Sequence, residues 1–359
     1  MSIEEKLSKE FDEQIKETTK VNIMIVGGTG VGKSSLINTI FGEKIAKVGS
    51  GKPITRGIDK YEEQDIPVII YDTEGYEIIN NNNFETVVLS EITNRQKLAL
   101  KEQIHIFWYC ISAATHRITE YDLKNIKLLQ ELGINLAIVI TKCDEEEIDD
   151  NDQGVTSREY RRVLLENDIK NNVFETMTQG DGILELNELV EWSSLSLNDD
   201  DLRRAFIGAQ ISNIPLKDQE AASYIYKYSA STAAAAGLNP IPVSDALLIT
   251  PLQLKMAVEL AKIYGIDNLG QHTITLLKTQ LLSLIGKQLA ASLTKLIPFI
   301  GQLINAGVAG GITIGLGFGL QQLYRSAYLE YLETGKEPDW AILFKSLDLI
   351  SLIQNVKTK

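Results

Sequence analysis

Residues 27–34, GGTGVGKS, match the spacing G-x-x-x-x-G-K-[ST]. Glycines at these positions let successive backbone N–H groups turn to one side and form a concavity that suits phosphate oxygens. Lys33 can reach a β- or γ-phosphate, and the Ser34 hydroxyl can hold a magnesium ion bridging the two. The expected nucleotide contacts are Gly28, Thr29, Gly30, Val31, Gly32, Lys33, Ser34 and Ser35. Asp72-Thr73-Glu74-Gly75 matches D-x-x-G, which would place the Asp72 carboxylate on the metal through water and the Gly75 N–H on the γ-phosphate. Thr55, within PITRG, is the candidate second metal ligand and γ-phosphate sensor, in competition with Ser50. Thr141-Lys142-Cys143-Asp144 matches [NT]-K-x-D. A carboxylate at Asp144 accepts from the ring N–H and exocyclic amine of guanine, a donor pair adenine lacks, while the Lys142 stem lies along the base. Thr176 and Met177, in TMT shortly before Gly182, stand where an S-A-K loop would and are assigned by register alone. The combination points to GTP and GDP with Mg2+ rather than to ATP.

These groups need a frame. Val21 to Val26 is a short apolar run before the glycines, and Ser35 to Phe41 has helical character after them. Strand-like runs at Ile66–Asp72, Ile104–Ser112, Asn135–Lys142 and Asn172–Thr178 alternate with helical patterns at Phe84–Leu100, Glu120–Leu132, Val155–Asp168 and Ile183–Leu195. Residues 43–57 read as a mobile loop, and Tyr61–Gln64 as the end of an edge strand. Such alternation predicts an α/β domain with a mostly parallel sheet over residues 21–198, with ligands at the carboxyl ends of its strands. From 199 to 359 only long apolar helical patterns follow, broken near Pro215, Gly265, Pro298, Gly310-Gly311 and Gly335. An all-α domain is expected there, joined by a helix in residues 1–20 whose Ile3, Leu7, Phe11 and Ile15 form a narrow apolar stripe.

No residue between Lys295 and Arg325 is charged, and Gly307, Gly311, Gly315 and Gly319 recur at four-residue spacing. Pro298, Gln302, Asn305 and Gly310-Gly311 divide the run into two shorter helices, read here as a buried hairpin rather than a membrane span. The net charge of −13, without any basic run, disfavours nucleic acid as partner. Two cysteines and an opening stretch without signal-peptide character point to a reducing cytoplasm. The acidic run Asp144–Asp152 reads as a solvated loop.

GGTGVGKSSLIN, DTEG and TKCD resemble the Era-related, translation-factor class of P-loop GTPases. The tail from RRAFIGAQ through GLNPIPVSDALLITPLQLKMAVELAKIYGI resembles a hydrophobic helical domain of unknown function fused to such GTPases in bacteria. Its combination with an N-terminal helix is similar in architecture to the immunity-related GTPases that act on membranes. Two departures stand out. Glu74 occupies a position that is usually Pro in Era-like proteins, and Tyr76 stands where Ras-like GTPases carry the glutamine that orients water. Without that amide, intrinsic hydrolysis should be slow. The loop SAATHR at 112–117 resembles the one from which septin-like and chloroplast-import GTPases direct a His or Arg at a partner's nucleotide. His116 and Arg117 are therefore the candidate catalytic groups, with Thr55 and Gly75, and a homodimer through the GTPase domain is implied. The resemblance implies a guanine-nucleotide switch and slow GTPase, cytoplasmic or peripheral on the inner face of a membrane. Its helical domain would meet a membrane surface or a protein partner. The alternatives are an Era-like ribosome-assembly GTPase and a nucleotide-binding protein that does not turn over.

Overall fold

The computed structural model describes residues 3–16, 19–42, 52–55, 58–63, 66–73, 84–115, 117–151, 153–177, 184–237, 245–269, 272–283 and 306–346. The chain divides into two compact units, Thr19–Asn213 and the pair Met1–Thr18 with Ile214–Lys359. The first helix, α1 (Ile3–Lys16), thus groups with the C-terminal half.

The unit Thr19–Asn213 is built on a seven-stranded sheet among the described residues: β1 (Val21–Val26), β2 (Lys52–Thr55), β3 (Ile58–Glu62), β4 (Val68–Thr73), β5 (Ile106–Ser112), β6 (Leu136–Thr141) and β7 (Asn172–Glu175). Their order is β2-β3-β4-β1-β5-β6-β7. The pairs from β4 to β7 are parallel, with Val21 opposite Val68 and Ile23 opposite Ile106, and β2 and β3 run antiparallel at one edge. Every residue of β1, β5 and β6 is buried, because helices cover both faces; this is why these strands read as unbroken apolar runs. Two expectations change here. Lys52–Thr55 is a strand rather than part of a loop, and it, not β3, forms the edge. Its Gly- and Pro-rich surroundings hide a pairing supplied by β3.

On one face, Phe84, Val88 and Ile92 pack with Ile126, Leu129, Tyr160 and Leu164. They come from the turn Phe84–Leu89 (a π-helix), α3 (Ser90–Arg95), α4 (Glu120–Glu131) and α5 (Val155–Glu166). The other face holds α2 (Lys33–Phe41), α6 (Leu186–Leu195) and α7 (Asp200–Ala209). There Phe41 stacks on Trp108 at 6.1 Å and meets Phe206 edge-on at 5.9 Å. The Trp108 indole N–H donates to Ser193 Oγ at 3.1 Å. Phe206 is wholly buried, so α7 completes this core, and the boundary falls at Asn213 rather than at 198.

The other unit contains α1, α8 (Ile214–Gly237), α9 (Asp245–Ile263), α10 (residues 272–283), α11 (Ala306–Thr334) and α12 (Trp340–Ser346). Leu7, Phe11 and Ile15 of α1 are buried, and Asp12 pairs with Lys278 at 2.7 Å. The expected break near Pro215 is present, because α7 ends at Ala209 and α8 begins at Ile214 with Pro215 in its first turn. The Gly310-Gly311 pair, by contrast, breaks nothing, because α11 runs through it. A Cβ on Gly317 would lie 2.8 Å from Ile225 and one on Gly310 3.2 Å from Ser229 Oγ, whereas one on Gly311 would meet nothing within 4 Å. Gly310, Thr313 and Gly317 therefore approach α8 closely, and Gly311 does not. The Ser229 hydroxyl donates to Gly310 O at 3.0 Å and that of Thr232 to Thr313 Oγ1 at 3.1 Å. Among the described residues no helix is long and apolar enough to cross a membrane. Residues 296–305 lie outside the described residues.

Candidate functional site

The loop between β1 and α2 is shaped by close backbone approach. Gly27 has φ 151°, and a Cβ there would lie 2.5 Å from the Cys110 carbonyl oxygen of β5. Only glycine fits. Gly32, at φ 102°, leads into α2 without a side-chain cap, so the first N–H groups of that helix remain available to an anion. Lys33 is buried and donates from Nζ to Gly27 O at 3.0 Å and Gly28 O at 3.2 Å. The Ser34 hydroxyl is exposed and without a partner among the described residues.

Asp72, near the end of β4, has its Oδ1 buried 3.8 Å from Lys33 Nζ, and that oxygen accepts no hydrogen bond from the described residues. Asp59 of β3 stands directly opposite it. Burial pushes the Asp72 carboxyl up to about 6, Lys33 works against this, and Asp59 adds to it. A glycine cradle, a buried ammonium and an orphaned carboxylate oxygen fit a phosphate chain with a divalent cation. Side-chain oxygens beside this cradle are those of Ser34, at the start of α2, and Asp72, near the end of β4. The backbone of Thr55 ends β2 beside Ile58, but its side chain, like Gly75, Tyr76 and His116, lies outside the described residues.

At the end of β6 the Thr141 hydroxyl donates to Val31 O, with Ile111 O 3.2 Å away. It therefore braces the phosphate loop against the sheet instead of offering itself to a ligand. Lys142 adopts a left-handed backbone, φ 57°, which turns the chain outward. The Asp144 carboxylate is exposed, with no hydrogen-bond or ion-pair partner among the described residues. Thr176 is buried with its hydroxyl on Ile140 O at 3.1 Å, and its own carbonyl accepts from Cys143 N–H at 3.2 Å. It supports the TKCD turn from behind, and half-buried Met177 follows it.

A cavity of about 790 Å³ opens beside Gly27–Thr29 and Val31 and runs past Tyr109 and Thr115 to Arg117. Arg117 is exposed and makes no ion pair among the described residues, whereas Arg95, Arg158, Arg161, Arg162, Arg204 and Arg325 each hold a carboxylate. Three supporting residues escape sequence reasoning. Glu146 accepts from Ser157 N–H at 2.7 Å, and Arg161 bridges Glu175 and Glu185 at 2.6 Å each. Tyr160 reaches the loop after β5. The only signal for them is the apolar spacing of Tyr160 and Leu164 along α5, which marks a buried face but not its polar tip.

Residues 22–142 match the 50S ribosome-binding GTPase family, and residues 208–328 match a domain of unknown function (DUF697). The chain thus carries a P-loop GTPase domain followed by a helical region. Septin-9 of Rattus norvegicus is 30% identical over 157 residues, covering 36% of this chain and 28% of that protein. Neuronal-specific septin-3 of Danio rerio is 28% identical over 165 residues, covering 37% and 45%. The chain spans less than half the length of either curated relative. Among solved structures, Toc33 from Arabidopsis thaliana, a dimerization-deficient mutant, is 17% identical with TM-score 0.37, covering 55% of this chain and 92% of that one. The FeoB G-domain of Methanococcus jannaschii is 17% identical with TM-score 0.31, covering 50% and 99%.

Proposed function

We propose that this protein binds GTP and GDP with Mg2+ and hydrolyses GTP slowly, as a switch activated when two GTPase domains pair. The observation that carries the reading is a set of groups around one loop that have no hydrogen-bond partner among the described residues: the buried Asp72 Oδ1, the Ser34 hydroxyl and the exposed Asp144 carboxylate. Glycine N–H groups and Lys33 would bind the phosphates, Asp144 and Lys142 the guanine, and Ser34, Thr55 and Asp72 the cation. Magnesium, when bound, neutralises charge on the β- and γ-phosphate oxygens. In hydrolysis a water oxygen bonds to the γ-phosphorus as the bond to the β–γ bridging oxygen breaks, giving GDP and phosphate. Lys33 moves from its own loop carbonyls to the developing charge, and the Gly75 N–H meets the γ-phosphate. Tyr76 offers no amide for the water, so a group must come from outside. Arg117 suits that task, being exposed, without an ion pair among the described residues and at the rim of the cavity beside the phosphate loop, with His116 next in sequence. The helical unit would meet a membrane surface or protein partner in a nucleotide-dependent way.

Calorimetry and turnover test this together. Asp144→Asn should weaken GTP by about 1–3 kcal/mol, leaving guanine donors unpaired, and should improve xanthine nucleotides. Lys33→Ala should abolish triphosphate binding. Activity per molecule should climb with protein concentration, because pairing follows mass action. Unchanged base preference in Asp144→Asn, with flat specific activity, would refute the proposal. Ribosome assembly is a second reading, favoured by the description of the matched GTPase family. The net charge of −13 opposes it, and tight, salt-sensitive binding to structured RNA would be needed to restore it.

A further inference from the structure

Helix α5 touches both loops on which the proposed switch depends. At its first turn, Ser157 N–H donates to Glu146 Oε2 at 2.7 Å, and Glu146 directly follows the turn Cys143–Glu145 that carries Asp144. One residue further around the helix than Glu159, Tyr160 is 1% exposed and sends its hydroxyl away from α5. That hydroxyl carries one proton, within reach of Ser112 O at 3.1 Å and of Thr115 Oγ1 at 3.2 Å; given to Thr115, it leaves the Thr115 proton for a backbone carbonyl. Thr115 Oγ1 in turn lies 2.8 Å from Ser112 O and 3.3 Å from Arg117 O. The turn Ala113–Thr115 also packs against the turn Cys143–Glu145. Phenylalanine would fill the same space in the core. A buried phenol oxygen is tolerated only with partners, and each of its partners belongs to the loop that ends at Arg117.

The geometry points to Tyr160 as a positioning residue that holds the Arg117 loop in register with the base-reading turn, through a hydroxyl relay from Tyr160 to Thr115 to the Arg117 backbone. This rests on the proposed action of Arg117 on a partner's nucleotide. The base-reading turn fixes α5 through Glu146, and α5 fixes the Arg117 backbone through Tyr160. Correct seating of the base would then present Arg117 in one orientation, and pairing would find it already placed.

The test compares the full-length parent protein with Tyr160→Phe, Thr115→Val and Arg117→Ala, measuring GTP affinity by calorimetry and hydrolysis per molecule across a range of protein concentrations. Tyr160→Phe keeps the ring, and Thr115 is exposed, so one of the two variants remains informative if the other folds poorly. GTP affinity in both should stay within about twofold of the parent, while turnover at high concentration falls about tenfold, a loss in kcat without a matching loss in binding. Arg117→Ala should abolish the climb with concentration. If Arg117→Ala flattens the curve while Tyr160→Phe and Thr115→Val follow the parent, the relay is wrong and the action of Arg117 stands. If affinity and rate fall together in both relay variants, Tyr160 is merely structural and the inference is overturned. If Arg117→Ala itself follows the parent, the partner-directed reading falls and takes the relay with it.

Discussion

Asp72 stands opposite Asp59 across the β3–β4 pair, with one oxygen buried and no donor to it among the described residues. Opposed like charges and burial both disfavour the ionised form, while a bound cation favours it. Burial holds the proton on folded Asp72 up to about 6, against an ordinary value of 3.8. Between those values the folded state binds more protons than the unfolded chain, so this group's contribution to stability falls as pH rises through that window and stays low above it. Asp72→Asn should therefore raise the ligand-free stability near neutral pH by on the order of 2 kcal/mol, read as a higher urea midpoint. The same change should weaken Mg2+-dependent GTP binding. In the parent that binding should weaken as pH drops below about 6, because the cation must then displace a proton. A variant less stable than the parent would contradict this account of Asp72.

At the scale of elements, α11 and α7 make opposite demands on their neighbours. Gly317→Ala should destabilise the helical unit by about 1–3 kcal/mol, since its Cβ meets Ile225 and Met256 at 2.8 and 3.2 Å. Gly311→Ala meets nothing and should stabilise by about 0.5–1 kcal/mol through helix propensity. Thermal denaturation of the two variants reads the contrast, and equal effects would mean that α11 does not pack by this face. Phe206→Ala should destabilise the GTPase unit by about 3–5 kcal/mol by emptying the space beside Phe41 and Trp108. An effect within the range of surface substitutions would return α7 to the helical half.

These elements also show what the sequence made legible. Strands β1, β5 and β6 are apolar on both faces and announce themselves, and the phosphate loop follows from its spacing. Strand β2 does not, because its pairing comes from β3 rather than from its own residues. The α7 boundary was hidden because a helix carries no mark of which core receives it. The close-packed face of α11 was equally hidden, since the six glycines from Gly307 to Gly319 offer more than one stripe and the packing of α8 and α9 selects among them. At the site, the motifs single out Asp144 and Asp72 as candidates, and the structure leaves the Asp144 carboxylate and Asp72 Oδ1 without a hydrogen-bond donor among the described residues. Thr141 and Thr176 were not readable as braces, because a hydroxyl's partner depends on which backbone passes nearby.

At the scale of the whole molecule, the net charge of −13 works against association of two copies, so pairing needs specific complementarity and should strengthen as salt screens the repulsion. In the proposed function the chain recognises guanosine triphosphate and answers by pairing. Sedimentation of the full-length protein tests it directly, with a non-hydrolysable GTP analogue, with GDP, and with the corresponding ATP analogue, all with Mg2+ at about 0.15 M salt, where the Debye length is about 8 Å. A dimer is expected with the GTP analogue, and a monomer with GDP and with the ATP analogue. The same sedimentation coefficient in all three conditions, or a dimer that forms equally well with the ATP analogue, would contradict it.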